Sequence, residues 1–148
     1  MRLYNPKSEM IALSLAKKVF QEVSPYTIFS ILYFQGEPLL NREFPQIVRL
    51  ARKNNLLTST STNAQLIDSQ MAKKLVLSGL DRIIISLDGT TQETYEQYRV
   101  GGKLEKAIQS IEHLQHWKKE LKKPHPFIEI QFLVLKSNEH QIDDVKAL

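Results

Sequence analysis

Residues 79–89 read GLDRIIISLDG. A glycine able to stop a helix leads into a β-branched run, and that run closes on Ser86, Asp88 and Gly89, residue types that end strands in turns. Arg82 to Leu87 therefore reads as a strand. Ile83, Ile84 and Ile85 are apolar on both of its faces, the pattern of a parallel strand covered on both sides.

On either side of it the same grammar repeats. Thr27 to Phe34 (TIFSILYF), Leu56 to Thr62 (LLTSTST) and Phe127 to Leu135 (FIEIQFLVL) are three further strand-like runs. Between them lie helical periodicities, with Phe44, Ile47, Val48 and Ala51 on one face, then Met71, Ala72, Leu75 and Val76, then Leu104, Ala107, Ile108, Ile111 and Leu114. A helix over Leu13 to Val23 precedes the first strand, and another opens near Glu139. Thr90 with Glu93 and Asn138 with Gln141 have capping-box spacing, and Gly79 is a natural helix stop. Strict alternation without a hairpin signal implies an α/β fold of about four parallel strands joined by right-handed crossovers. By pattern alone an open doubly wound sheet and a piece of a β/α barrel are both allowed; four strands cannot close a barrel.

Composition sets the outer bounds. The chain has 148 residues, 42% hydrophobic and 24% charged, enough for one domain with a sizeable core. Residues 1–148 carry no Gly/Ser linker and read as a single domain. A net charge of +4, from 20 basic and 16 acidic residues, is too small and scattered for a nucleic-acid stripe. No apolar run approaches the roughly 18 residues of a membrane span, and Met1 to Ser8 lack a signal-like apolar stretch, so a cytoplasmic protein is expected. There is no cysteine, which excludes a disulfide, a thiol nucleophile and a cysteine-held metal or iron–sulfur centre from the chain's own residues. No G-x-S-x-G, P-loop or G-x-G-x-x-G pattern is present, leaving hydrolase, P-loop and Rossmann readings without their motifs.

Parallel α/β folds bind ligands beyond the carboxyl ends of their strands, so the residues there matter most. The first strand runs into Gln35, Gly36, Glu37 and Pro38, the second into Ser61 and Asn63, and the third into Ser86 and Asp88. The fourth carries Glu129 and Gln131. Alternation puts Ser59, Ser61 and Asn63 on one side, with Ser86 and Asp88 together and Glu129 and Gln131 together. Hydroxyls, amides and carboxylates converging in this way suit a polar, zwitterionic small molecule with amine, carboxylate and ribose groups. Turn-forming accounts for some of these residue types, but Gln35, Glu37 and Gln131 are not turn formers. This convergence favours the piece of a barrel over the open sheet.

Taken together, YFQGEPLL at 33–40, STSTNA at 59–64, GLDRIIISLDGTTQETYEQYRVGG at 79–102 and IEIQFLVLKSNEH at 128–140 resemble the radical S-adenosylmethionine (SAM) superfamily. The branch they are most similar to carries a C-terminal SPASM extension. The resemblance implies a partial (β/α) barrel with SAM lying across the strand ends. It implies the SAM amino group at Gly36, Glu37 and Pro38, with Gln35 standing where many members have another Gly. Ser86 matches a position facing the ribose or carboxylate, followed by Asp88, and Arg99 is similar to a group near the SAM carboxylate. Ser61, Asn63 and Gln131 complete the expected SAM-binding set.

The family's chemistry starts from a CxxxCxxC loop holding a four-iron four-sulfur cluster. Since this chain has no cysteine, the resemblance implies a truncated core starting after the cluster loop and inactive by itself. The intact enzyme is expected to cleave SAM reductively and modify a substrate, with a peptide or protein as leading candidate. The alternative is a non-catalytic module that binds a nucleotide-like ligand or a protein. Exposed sheet edges are expected to favour self-association. His113 and His116, three apart with Trp117 beside them, lack a third metal ligand and are expected on a solvated helix flank. Lys118, Lys119, Lys122 and Lys123 are expected to form a solvated helix end that complements the helix dipole.

Overall fold

A computed structural model describes residues 10–148. The order is α1 (Leu13–Val23), β1 (Phe29–Ile31), a 3₁₀ turn (Pro38–Leu40), α2 (Phe44–Lys53), β2 (Leu57–Thr62), α3 (Ser69–Ser78) and β3 (Arg82–Ser86), followed by α4 (Gln92–Tyr98), α5 (Leu104–Glu120), β4 (Phe127–Gln131), a second 3₁₀ turn (Glu139–Gln141) and α6 (Ile142–Lys146). The four strands form one parallel sheet in the order β1-β2-β3-β4. This is the partial β/α barrel that the strand-end residues favour over an open doubly wound sheet. Among the described residues no helix is long and apolar enough to cross a membrane.

Register decides which side chains share a face. Ile31 lies opposite Ser59, Ser61 opposite Ile84, and Ser86 opposite Gln131. Ile83 and Ile85 point the other way, into a core with Val48, Leu75, Val76, Ala107 and Leu114. A smaller cluster of Ala16, Phe20, Ile47, Ala51 and Leu56 seals α1 against α2. Among the described residues helices therefore cover one face only, a correction to the two-sided cover expected from the three isoleucines. Ile84 is buried on the opposite face between Ser61 and Glu129, while Phe29, Ile31, Leu57 and Phe127 on that face stay exposed.

Several boundaries are shorter than the apolar runs suggest. β1 ends at Ile31 and β4 at Gln131. The last backbone bonds run from Leu32 N to Ser59 O and from Leu87 N to Gln131 O, and past them neither strand has a partner to pair with. The cap of α4 is Thr91, whose side chain accepts from Thr94 N, one residue after the expected Thr90. Asn138 does not cap: its Oδ1 accepts from Leu135 N and its Nδ2 donates to the carbonyls of Asp88 and Leu133. Gly79 does end α3, at φ 82°, and Asp68 starts it by accepting from Met71 N at 2.7 Å. His113 is half-buried on the α3–α5 seam, with Nδ1 3.4 Å from Ile67 O, and Trp117 beyond it donates to Ser69 Oγ; the solvated flank expected there is confined to His116.

Candidate ligand crevice at the strand ends

Past its strand, the chain turns sharply at Gly36, whose φ of +78° is open to glycine without strain. Glu37 follows in an extended conformation, as a residue before proline should, and Pro38 opens the 3₁₀ turn. The Glu37 carboxylate then does three things at once. Its Oε1 accepts from Leu39 N at 3.1 Å and from Thr62 Oγ1 at 2.7 Å, and its Oε2 accepts from Asn63 N at 2.8 Å. The end of β2 is thus laced to the turn after β1.

Ser61 and Ser86 come from neighbouring strands and point the same way. Their hydroxyl oxygens are 3.5 Å apart on the open side of the sheet. Together with Gly36, Glu37, Asn63 and Arg99 they line a crevice of about 480 Å³. Tyr33, Phe34 and Thr62 complete its wall. The volume falls in the usual range for small-molecule sites.

Arg99 supplies the positive charge. It follows α4, and its Nε donates to Asp88 Oδ2 at 2.6 Å while its guanidinium carbon sits 5.4 Å from the centre of the Tyr98 ring. Among the described residues only that Nε is hydrogen-bonded, which leaves the terminal nitrogens for the crevice. Asp88 itself is 1% exposed, and its second oxygen accepts from Leu133 N at 2.8 Å. Behind Arg99 lies Tyr95, fully buried, whose hydroxyl accepts from Gln65 Nε2 at 3.2 Å. Burial raises the Tyr95 pKa; the Arg99 charge lowers it in part, Asp88 raises it, and the Gln65 bond lowers it.

Six of the ten residues expected from sequence line this crevice: Gly36, Glu37, Ser61, Asn63, Ser86 and Arg99. Gln35 and Pro38 instead line an adjoining, largely apolar groove of about 420 Å³ beside β1, with Met10, Phe20 and Ile31, and Tyr33 and Glu37 border both. Gln131 is exposed on β4 beside Ser86, outside the wall, and Asp88 lies behind Arg99. Sequence reasoning missed Tyr33, Phe34, Thr62, Gln65 and Tyr95. The available signal was the pair of aromatic residues just before the Gln35 turn, where Phe34 is 93% exposed.

The crevice lining suits SAM: hydroxyls share it with a guanidinium whose terminal nitrogens are unpaired among the described residues, under an aromatic rim. An iron–sulfur cluster does not fit, since the chain has no cysteine, and among the described residues no group of three or more His, Asp or Glu could hold a metal ion.

The sequence profile of the Radical SAM superfamily matches residues 4–120. A relative from Methanosarcina barkeri, Fe-coproporphyrin III synthase, is 32% identical over 100 residues, 67% of this chain and 25% of its own length. Mycofactocin maturase MftC of Mycolicibacterium smegmatis is 26% identical over 132 residues, covering 89% of this chain and 32% of its own. The chain spans about a quarter to a third of these relatives. Among solved structures, native anSMEcpe with bound AdoMet superimposes with a TM-score of 0.63 at 20% identity, over 86% of this chain and 36% of that one.

Proposed function

The chain belongs to the radical SAM superfamily, and on that footing we propose that the strand-end crevice is its SAM site. Gly36, Glu37, Ser61, Asn63, Ser86 and Arg99 hold the ligand. The observation that supports this most directly is the meeting of Ser61 and Ser86 hydroxyls, 3.5 Å apart, in one crevice with a guanidinium whose terminal nitrogens have no hydrogen-bond partner among the described residues. Hydroxyls suit a ribose or amino-acid moiety, and the guanidinium fork suits a carboxylate. Glu37 acts mostly by holding Asn63 and Thr62 in place, with the outer lone pair of Oε2 left for an ammonium group. Asp88 contributes from behind, through Arg99, while Gln35, Pro38 and Gln131 lie outside the crevice wall.

In the intact enzyme the proposed reaction is reductive SAM cleavage, with the cluster held by cysteines outside this chain. The motif resemblance at 33–40, 59–64, 79–102 and 128–140 supports a SPASM-type enzyme with a peptide or protein substrate. The lack of cysteine favours a second reading, a module that binds the ligand without radical chemistry.

Calorimetric titration of SAM into the full chain tests the site. Ser86→Ala and Glu37→Gln should each weaken binding about three- to tenfold, the scale of one hydrogen bond to a charged or polar ligand. Affinities equal to that of the unmodified chain, or no heat up to about 1 mM SAM, would rule the assignment out. Reductive cleavage separates the two readings: in the protein with its cluster, an added reductant should convert bound SAM to methionine and 5′-deoxyadenosine, whereas SAM recovered unchanged supports the module.

A further inference from the structure

We infer that Asp88 is a positioning residue that never meets the ligand, and that it links an anion captured by Arg99 to the loop leaving β4. The inference rests on the SAM-site reading above. Asp88 is 1% exposed, and both carboxylate oxygens are taken by the protein: Oδ2 by Arg99 Nε at 2.6 Å and Oδ1 by Leu133 N at 2.8 Å. Its backbone carbonyl accepts from Asn138 Nδ2 at 3.0 Å, and that same amide nitrogen donates to Leu133 O at 2.8 Å. Asp88 and Asn138 therefore grip Leu133 by its N–H and its C=O.

Chemistry follows from that arrangement. A guanidinium has five N–H donors in a rigid plane, so anchoring Nε on a buried carboxylate fixes the direction in which the two terminal nitrogens point. Tyr98, 5.4 Å from the guanidinium carbon, restrains the same plane from its face. A ligand carboxylate could then meet a preorganised fork rather than a mobile side chain. Any ligand pull on Arg99 is transmitted through Asp88 to Leu133, 45 residues away in sequence but one hydrogen bond away in space.

Two probes separate this from a purely structural role: SAM, and decarboxylated SAM, which lacks only the carboxylate. In the full chain, Asp88→Asn keeps an acceptor for Leu133 N and removes the negative charge that anchors Arg99. It should weaken SAM binding on the order of tenfold and decarboxylated SAM less than about twofold. Arg99→Ala should lose at least as much for SAM, and the double variant no more than Arg99→Ala alone. Equal losses for both probes, or losses that add in the double variant, overturn the inference. If Arg99→Ala does not discriminate the probes, the SAM-site reading fails first, before Asp88 is considered. Should Asp88→Asn not fold, hydrogen exchange on the unmodified chain decides: SAM should slow exchange over residues 131–138 and decarboxylated SAM should not, and identical protection by both overturns it.

Discussion

Tyr95 shows what a single buried hydroxyl can report. Its pKa is raised above the ordinary value near 10 by burial, so its folded form holds the proton more tightly than its unfolded form. Its stabilising contribution is complete below the unfolded pKa and is lost as the pH climbs through the higher folded one. Tyr95→Phe should therefore flatten the fall of stability above about pH 10, and cost about 1 kcal/mol at neutral pH through the lost Gln65 bond. Denaturant midpoints at pH 7 and pH 10.5 check both; an unchanged alkaline slope would count against it. The backbone of the same residue explains Gly89, where an added Cβ would come within 2.5 Å of Tyr95 N and 2.7 Å of its Cα. Residue types at the strand ends were readable as polar and convergent. Which of them face ligand was not, because Asp88 and Glu37 differ from free carboxylates only through donors supplied by Leu133, Arg99, Thr62 and Asn63, far along the chain.

At the scale of elements, α3 and α5 lie side by side beneath the sheet, and Leu75 and Leu114 are fully buried in the core they share with β3. Leu114→Ala should cost about 2–5 kcal/mol, the range for emptying a packed leucine site. Urea denaturation measures it, and a loss under about 1 kcal/mol would mean the seam refills. Helix and strand identity was legible from periodicity in every long element. Their ends were not, since Tyr33, Phe34 and Leu133 to Leu135 are as apolar as true strand residues but lie beyond the last backbone bond to a neighbouring strand. α4 left only a cap signal, because seven residues give too few turns for a clear apolar stripe.

At the scale of the whole molecule, the sheet has helices on one side and an open face on the other, with β1 and β4 at its edges. Parallel sheets are ordinarily covered on both faces, and free edges invite pairing. Sedimentation velocity of the full chain should therefore show association that grows with concentration, and Ile31→Lys, at a site 60% exposed on the edge strand, should reduce it. A single monomer boundary across a hundredfold concentration range would sink that expectation. Alternation of apolar runs with helical stripes was enough by itself to determine a parallel α/β chain, because a short β-branched strand run and a helix buried along one side leave different periods in the sequence. The family likeness was also carried by local motifs at the strand ends. Only the tertiary structure decided that Ser61 and Ser86 meet, that Asp88 stands behind Arg99, and that one face of the sheet is bare. Those facts depend on register and on hydrogen bonds between residues tens of positions apart, and neither leaves a period or a motif in the linear chain.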